Sequence, residues 1–370
     1  MEALFWISAA IVGYVYLGYP AVIWLLGRLF GRAPVKTEIQ PHVSVLVAAY
    51  NEAAVIEDKI RNLLALDYPA GRLELVIASD GSTDGTNERA GAFAREGRVR
   101  LIDYERNRGK ITVLNETVPR LRGEIIVFSD AASMLAADSV RRLVAHFADP
   151  RVGAVSGLYR VLKTEEAGLG VQEGLYWKYE TWLKTQESAL GAVLGAHGSM
   201  YAIRAKLYPF PENHVINDDY VIPLRILQRG YRVVYEPRAV ASEEAREMEG
   251  FARRVRIMTG NVQQLRELWP LLWPPRPAPL FCFLSHKAGR LLVPSAMLLL
   301  ALSNLALAGA PLYAWLGAAQ AAFYLAALAG ATAVRLPRVL RLPYYFCMIN
   351  AAAVPALLGM LLPRKRMSWK

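Results

Sequence analysis

His42-Val43-Ser44-Val45-Leu46-Val47-Ala48-Ala49, closing on Tyr50-Asn51-Glu52, is an apolar, β-branched run with a polar cluster at its end. A helical pattern follows it from Ala53 to Leu66. A continuous apolar run of this length before a helix predicts a strand buried on both faces, as in a parallel sheet. The same unit recurs downstream. Leu73 to Ser79 ends at Asp80-Gly81-Ser82-Thr83-Asp84-Gly85-Thr86, with a helix to about Glu96. Val99 to Tyr104 leads to Asn107-Arg108-Gly109-Lys110, and Glu124 to Phe128 leads to Ser129-Asp130. Strands alternating with helices, each delivering polar residues at its carboxyl end, predict an open α/β sheet with a ligand crevice along that edge.

Taken singly, each cluster has a plainer explanation. Asp80-Gly81-Ser82 suits a tight turn with an N-cap, Asn107 to Lys110 a solvated loop, and Asp130 a strand-end cap. Four strand ends carrying acid, amide or lysine groups on one edge exceed what turns require and point to a binding site. Further on, Asn217-Asp218-Asp219-Tyr220 opens a helical pattern from Val221 to Arg229, closed by Gly230. Asn and Asp suit an N-cap, and negative charge suits a helix start. That explains one acid and leaves the other over. We read one of the pair, Asp219 ahead of Asp218, as a general base at the floor of a cleft.

In this order, Val45 to Glu52, Ser79 to Thr86, Asn107 to Lys110, Phe128-Ser129-Asp130-Ala131 and Asn217-Asp218-Asp219 resemble family 2 glycosyltransferases of the inverting, nucleotide-diphospho-sugar-dependent kind. Among these, the chain is similar to membrane-embedded polysaccharide synthases of the cellulose, hyaluronan and poly-N-acetylglucosamine type. The resemblance covers roughly Val43 to Gly260. It implies a GT-A (Rossmann-like) fold, with Ala48, Tyr50, Asn51, Glu52 and Asp80 around the nucleoside and Lys110 near the base or diphosphate. It also implies Asp130 in the metal-binding motif, Mg2+ or Mn2+ as cofactor, and Asp219 as the base. Family members commonly carry a second acid or an Asn two residues after the first metal-motif Asp; this chain has Ala132. Magnesium takes one or two protein carboxylates and completes its shell with water and substrate phosphates, so a single Asp is compatible with the motif.

The chemistry accounts for these residue types. Displacing a nucleoside diphosphate from an anomeric carbon builds negative charge on the leaving group, which a divalent cation stabilises as a Lewis acid. A carboxylate on the opposite side removes the acceptor proton, and in-line attack inverts the centre. One cation-side acid and one base-side acid are needed, and Asp130 and Asp219 fit those roles.

Between the two acids, Val155 to Arg160 predicts another strand and Gln172 to Glu187 a long helix bearing Trp177, Tyr179 and Trp182. An aromatic stripe at helical spacing is weighed as core first. By the resemblance, Gly195 to Tyr201 borders the acceptor; His197 there is an acceptor contact or an ordinary hydrogen-bonded loop residue. Phe251 to Ile257 occupies the place where processive synthases carry Gln-x-x-Arg-Trp. Arg256 matches the Arg, while Arg253 and Ile257 replace the Gln and Trp. Contact of Arg253 and Arg256 with the donor diphosphate is the functional reading, and a charged helix lying on lipid is the plain one.

The 370 residues are 54% hydrophobic with a formal charge of +11, a balance suited neither to an ordinary soluble enzyme nor to a wholly membrane-embedded chain. Ala3 to Leu26 carries no charge and is followed by Arg28, Arg32 and Lys36, which predicts an uncleaved anchor with its C-terminal end in the cytoplasm. Apolar runs recur at 291–308, 312–334 and 342–362, the last containing Pro343 and Pro355 and leading to Arg364-Lys365-Arg366. Three full crossings there would leave that basic tail outside, against the positive-inside tendency, so one run is expected to be re-entrant or interfacial, or the tail to be an exception. Trp269 to Pro277 is too proline-rich for a regular helix and reads as a surface segment. Cys282 and Cys347 lie in apolar surroundings and are read as packing residues. The positive charge lies beside apolar segments, which suits anionic lipid and argues against nucleic acid.

The expected organisation is an anchor (1–30), a GT-A domain (41–245), an amphipathic segment (246–290) and two or three membrane helices (291–363). The expected activity is transfer of a sugar from a nucleotide sugar, taken as a UDP-sugar, to a lipid-linked or polysaccharide acceptor. It would take place at the cytoplasmic face of a multi-pass inner-membrane protein. The rivals are a single-sugar transfer to a lipid and a catalytically silent nucleotide-sugar-binding subunit.

Overall fold

In the computed structural model, which describes residues 1–33, 35–162, 170–244, 250–267, 276–332 and 341–359, the chain divides into two compact units. One comprises Phe30–Glu165 and Lys184–Arg246, and the other Met1–Leu29, Glu166–Leu183 and Glu247–Arg364.

The first unit is built on an eight-stranded sheet of order β3-β2-β1-β4-β7-β6-β8-β5. Its strands are β1 Val43–Ala49, β2 Leu73–Asp80, β3 Arg100–Tyr104, β4 Ile125–Phe128, β5 Met134–Leu135, β6 Val152–Leu162, β7 Tyr201–Arg204 and β8 Arg232–Glu244. All seven residues of β1 are buried, as an apolar run without alternation requires. β1 lies between β2 and β4, both parallel to it, and β3 pairs parallel with β2. The carboxyl ends of four strands therefore emerge on one edge, as the sequence predicts.

β7 changes the picture. It runs antiparallel to β4 with Phe128 opposite Tyr201, so the residues entering β7 arrive beside the residues leaving β4. The segment Gly198–Met200 is thereby delivered next to Ser129 and Asp130. β6 pairs antiparallel with β7 and parallel with β8, and β5 pairs antiparallel with β8. The sequence reading does not anticipate β5, β7 or β8. β5 and β7 are two and four residues long, and Pro237 interrupts the β8 pattern.

The helix Ile56–Leu64 lays Ile56, Ile60 and Leu63 against Val45 and Val47 of β1 in one core cluster. Each such side chain removed from water contributes roughly 1.5–3 kcal/mol. One glycine is dictated by close approach. Gly81 has φ 66, and a Cβ there would lie 2.4 Å from the Arg106 carbonyl carbon, so only glycine lets the 107–110 loop close over the end of β2.

The second unit is helical. Among the described residues, three helices are long and apolar enough to cross a membrane: Glu2–Phe30, Pro277–Ala306 and Pro311–Ala331. The first and second each contain a π-helical turn, Tyr14–Gly18 and Phe283–Ala288, and Tyr14 Oη meets Ser285 Oγ at 2.7 Å between them. The last apolar run is broken at Ala352 into Leu342–Ala351 and Ala353–Leu358. The second of these helices begins at Pro277, not near 291, and includes Lys287 and Arg290. Arg290 pairs with the buried Glu180, and His286 lies 3.7 Å from the same carboxylate. Of the aromatic residues on the Gly170–Ala189 helix, Trp177 and Tyr179 are half-buried and Trp182 is exposed. The proline-rich segment at 268–275 and the basic tail at 364–366 lie outside the described residues.

Candidate active site

The sheet edge gathers three carboxylates and one ammonium. Asp130 lies two residues beyond β4, and Asp218 and Asp219 occupy the first turn of the helix Asp218–Gln228, which starts earlier than the sequence pattern suggests. Lys110 opens the helix Lys110–Thr117 after the third strand-end loop. Its Nζ lies 2.9 Å from Asp130 Oδ1 and 3.2 Å from Asp218 Oδ1. Burial would lower the Lys110 pKa, but the Asp130 and Asp218 carboxylates outweigh it and hold the group above its ordinary value.

The two adjacent acids have different surroundings. The Asp218 side chain is 7% exposed and is fixed by Lys110 and by the buried Tyr201, whose hydroxyl donates to Oδ2 at 3.2 Å. Asp219 is partly exposed, and its Oδ2 accepts the Gly198 N–H at 2.9 Å. Its carbonyl accepts the Ala196 N–H at 2.8 Å. Pro223 explains that second bond. Four residues after Asp219, it has no N–H to return to the Asp219 carbonyl, which is left to grip the neighbouring loop. Asp219 thus holds the 196–198 loop by both backbone and side chain.

Gly198 is the point on which the two halves converge. A Cβ there would lie 3.0 Å from Asp130 Oδ2 and 3.5 Å from Asp219 Oδ2, so both carboxylates face the same small space. Gly198→Ala would fill it with a methyl group. We expect turnover to drop by about tenfold or more with Tm within a few degrees of wild type, read by steady-state kinetics and a thermal melt.

Burial, and next the Asp218 carboxylate, push Asp219 up to about 6. A base must be ionised, so transfer should be full above about pH 7 and fall about tenfold per pH unit below about pH 6. The acid limb of a kcat against pH profile checks this. The linkage has the opposite sign. The folded state retains a proton that the unfolded state has already lost, so this group's contribution to stability falls as pH rises from about 4 to about 6.

The remaining sequence-selected residues separate into two sets. Ala48, Tyr50, Asn51 and Glu52 stand at the end of β1, on the same sheet edge. The Asn51 N–H donates to Ser82 Oγ at 3.1 Å, Asn51 Oδ1 accepts the Thr83 N–H at 2.9 Å, and the Glu52 N–H donates to Thr86 Oγ1 at 2.8 Å. These bonds stitch the first strand-end loop to the second. Asp80 is fully buried and accepts the N–H groups of Arg108 and Gly109 at 2.9 and 2.8 Å, so it organises the loop that carries Lys110. Arg253 and Arg256 belong to the helix Gly250–Glu267 of the other unit. Arg256 is exposed there, and the Arg253 side chain lies outside the described residues. His197, left open between two readings, has Nε2 3.1 Å from Lys184 Nζ.

Among the described residues, no three His, Cys, Asp or Glu side chains are arranged to enclose a metal ion. Asp130, at 44% side-chain exposure beside Lys110, suits a cation held by one carboxylate and completed by substrate oxygens.

The mixed Rossmann-like sheet, with its ligand edge at the carboxyl ends of the parallel strands, has the GT-A fold. Residues 44–208 match the family model described as "Glycosyl transferase family 2". Residues 44–208 are thus a family 2 glycosyltransferase domain. The chain is similar to a poly-beta-1,6-N-acetyl-D-glucosamine synthase of Staphylococcus epidermidis, 28% identical over 279 residues that make up 69% of this chain and 67% of that one. A Staphylococcus aureus synthase of the same name is 27% identical over 242 residues, 61% of this chain and 58% of that one. The chain therefore spans about two thirds or less of the length of these relatives. Among solved structures, a mannosyltransferase, PcManGT of Pyrobaculum calidifontis in complex with GDP-Man and Mn2+, superposes with a TM-score of 0.75 at 26% identity, covering 98% of this chain and 100% of that one.

Proposed function

We propose that the protein transfers a sugar from a nucleoside-diphosphate donor to a hydroxyl of a lipid-linked or glycan acceptor, with inversion at the anomeric carbon. The observation that carries this reading is that Asp130 Oδ2 and Asp219 Oδ2 face the same space beside Gly198. Asp219 is the proposed base and takes the acceptor proton. Asp130 is the proposed cation ligand; a bound Mg2+ or Mn2+ would supply Lewis-acid stabilisation of the departing diphosphate. Lys110 holds Asp130 and Asp218 in place, and Asp218 is a positioning residue in this reading. Ala48, Tyr50, Asn51 and Glu52 line the proposed nucleoside side, with Asp80 acting through the 107–110 loop. The manganese in the PcManGT complex supports the use of a divalent cation.

Uridine as the donor base is carried by the family resemblance alone, and the GDP-Man of the PcManGT complex makes a guanosine donor the alternative to test. Polymer synthesis is supported by the curated relatives; single transfer to a lipid is favoured by Ile257 in the place of the synthases' Trp. The three apolar helices support a multi-pass membrane protein, with the catalytic unit proposed at the cytoplasmic face of the inner membrane. Two long C-terminal helices and one broken one support a re-entrant or interfacial last run.

The test is release of nucleoside diphosphate from a panel of UDP- and GDP-sugars, with and without Mg2+ or Mn2+. Metal-dependent release with one donor is the expected result. Binding without release under every condition would indicate a silent subunit. Product size after extended reaction separates a polymer from a single transfer.

A further inference from the structure

The helix Ile56–Leu64 presents Ile56, Lys59, Ile60 and Leu63 at the spacing of a core-facing stripe, and all four are fully buried. A lysine among three large aliphatics is an expensive choice there, because a buried ammonium forfeits its hydration. Among the described residues, no carboxylate lies within ion-pair distance of Lys59. A methionine or leucine would fill the position without that cost, so the hydrogen bonds must account for the lysine.

Lys59 Nζ donates to Ser129 Oγ at 2.7 Å and to the Ser133 carbonyl. Ser129 Oγ in turn donates to the Ser199 carbonyl at 2.7 Å. Ser129 immediately precedes Asp130, and the Ser133 N–H closes the turn onto the Asp130 carbonyl at 3.2 Å. Ser199 immediately follows Gly198, whose N–H holds Asp219. Lys59 is therefore tied to both segments that bring the two acids face to face. Burial pushes its ammonium down to about 7, yet the neutral amine keeps two N–H donors for its two acceptors, so the link holds in either state.

We propose that Lys59 is a positioning residue that sets the separation of Asp130 and Asp219 by clamping the 129–133 turn to the entrance of β7 through Ser129. This rests on the roles given to the two acids under Proposed function. Lys59 is fully buried and acts through the Ser129 hydroxyl and the Ser133 carbonyl that it holds. Misplacing a reacting group by about 1 Å is worth up to about a hundredfold in rate, so the clamp should register in kcat more than in binding.

The experiment compares Lys59→Met, Ser129→Ala and the double variant in the full chain. The readouts are kcat, donor KM, nucleotide binding and Tm. Each single variant is expected to lose about tenfold or more in kcat with donor KM within about threefold of wild type. The double variant should lose less than the product of the two single losses, because both changes remove the shared Lys59–Ser129 bond. A lowered Tm with kcat within about twofold of wild type would reduce Lys59 to a structural residue and overturn the proposal; multiplicative losses would also overturn it. Should Lys59→Met not fold, Ser129→Ala, which removes one oxygen, decides by the same kcat criterion. Wild type and Asp219→Asn run in the same assay separate the two readings. If the wild type transfers nothing, the functional reading fails and this inference falls with it. If both controls behave as expected and the Lys59 and Ser129 variants keep kcat, the clamp alone fails.

Discussion

Asp219→Asn is expected to lower transfer by at least about a hundredfold while nucleotide binding stays near wild type. The magnitude is that of a positioned base removed from a proton transfer. The substitution keeps shape and retains an oxygen for the Gly198 N–H, so the 196–198 loop should hold its place. Stability should move the other way. The Asp219 carboxylate is disfavoured by burial and by Asp218, which raise it to about 6, and a neutral amide escapes both penalties. At neutral pH the variant should therefore melt at or above the wild-type Tm. Loss of turnover together with unimpaired stability and binding separates a proton acceptor from a helix cap, whose removal costs stability first. A single-turnover assay beside a thermal melt and a nucleotide titration measures all three.

Asp130→Ala should fail differently. If Asp130 holds the cation that screens the diphosphate, its removal weakens nucleotide binding in the presence of Mn2+ and leaves metal-free binding largely unchanged. Turnover should fall by about a hundredfold or more, since cation stabilisation of a leaving group is worth several kcal/mol. The neighbouring lysine sharpens the comparison. Lys110 Nζ, 2.9 Å from Asp130 and 3.2 Å from Asp218, keeps one carboxylate partner in the variant, so the fold around it should persist. Nucleotide titrations at fixed Mn2+ and in chelator, for wild type and variant, give the metal-dependent increment directly. An increment equal in the two proteins would remove Asp130 from the cation's shell.

The parallel half of the sheet was legible because β1, β2 and β4 are apolar runs, the first two each followed by a helical pattern, and parallel order puts their ends on one edge. The antiparallel half was not. Tyr201–Arg204 is too short to read as a strand, yet its pairing with β4 delivers Gly198 to Asp130. The sequence marked Asp218 and Asp219 as a pair and put Asp219 first, but gave no physical reason for the two to differ. Their difference comes from Tyr201 and Lys110, distant in the chain, closing around Asp218 alone. Asp80 was read among the nucleoside residues; the geometry shows its carboxylate engaged by two backbone N–H groups, a turn function that local sequence also allowed. Two signals went unused. Pro223, four residues after Asp219, marked a carbonyl without its helical partner, and Lys59 stood on an aliphatic stripe. The second spanning helix was read as starting too late because Lys287 and Arg290 lower its local hydropathy, whereas the fold pairs Arg290 with Glu180.

Anomalous diffraction from crystals grown with Mn2+ and the nucleoside diphosphate that the donor panel identifies tests the central claim most directly. The account predicts a manganese peak bonded to an Asp130 carboxylate oxygen and to the diphosphate, with the Asp219 carboxylate facing the same space across Gly198. A peak elsewhere, or a diphosphate bound away from the Gly198 opening, would contradict it.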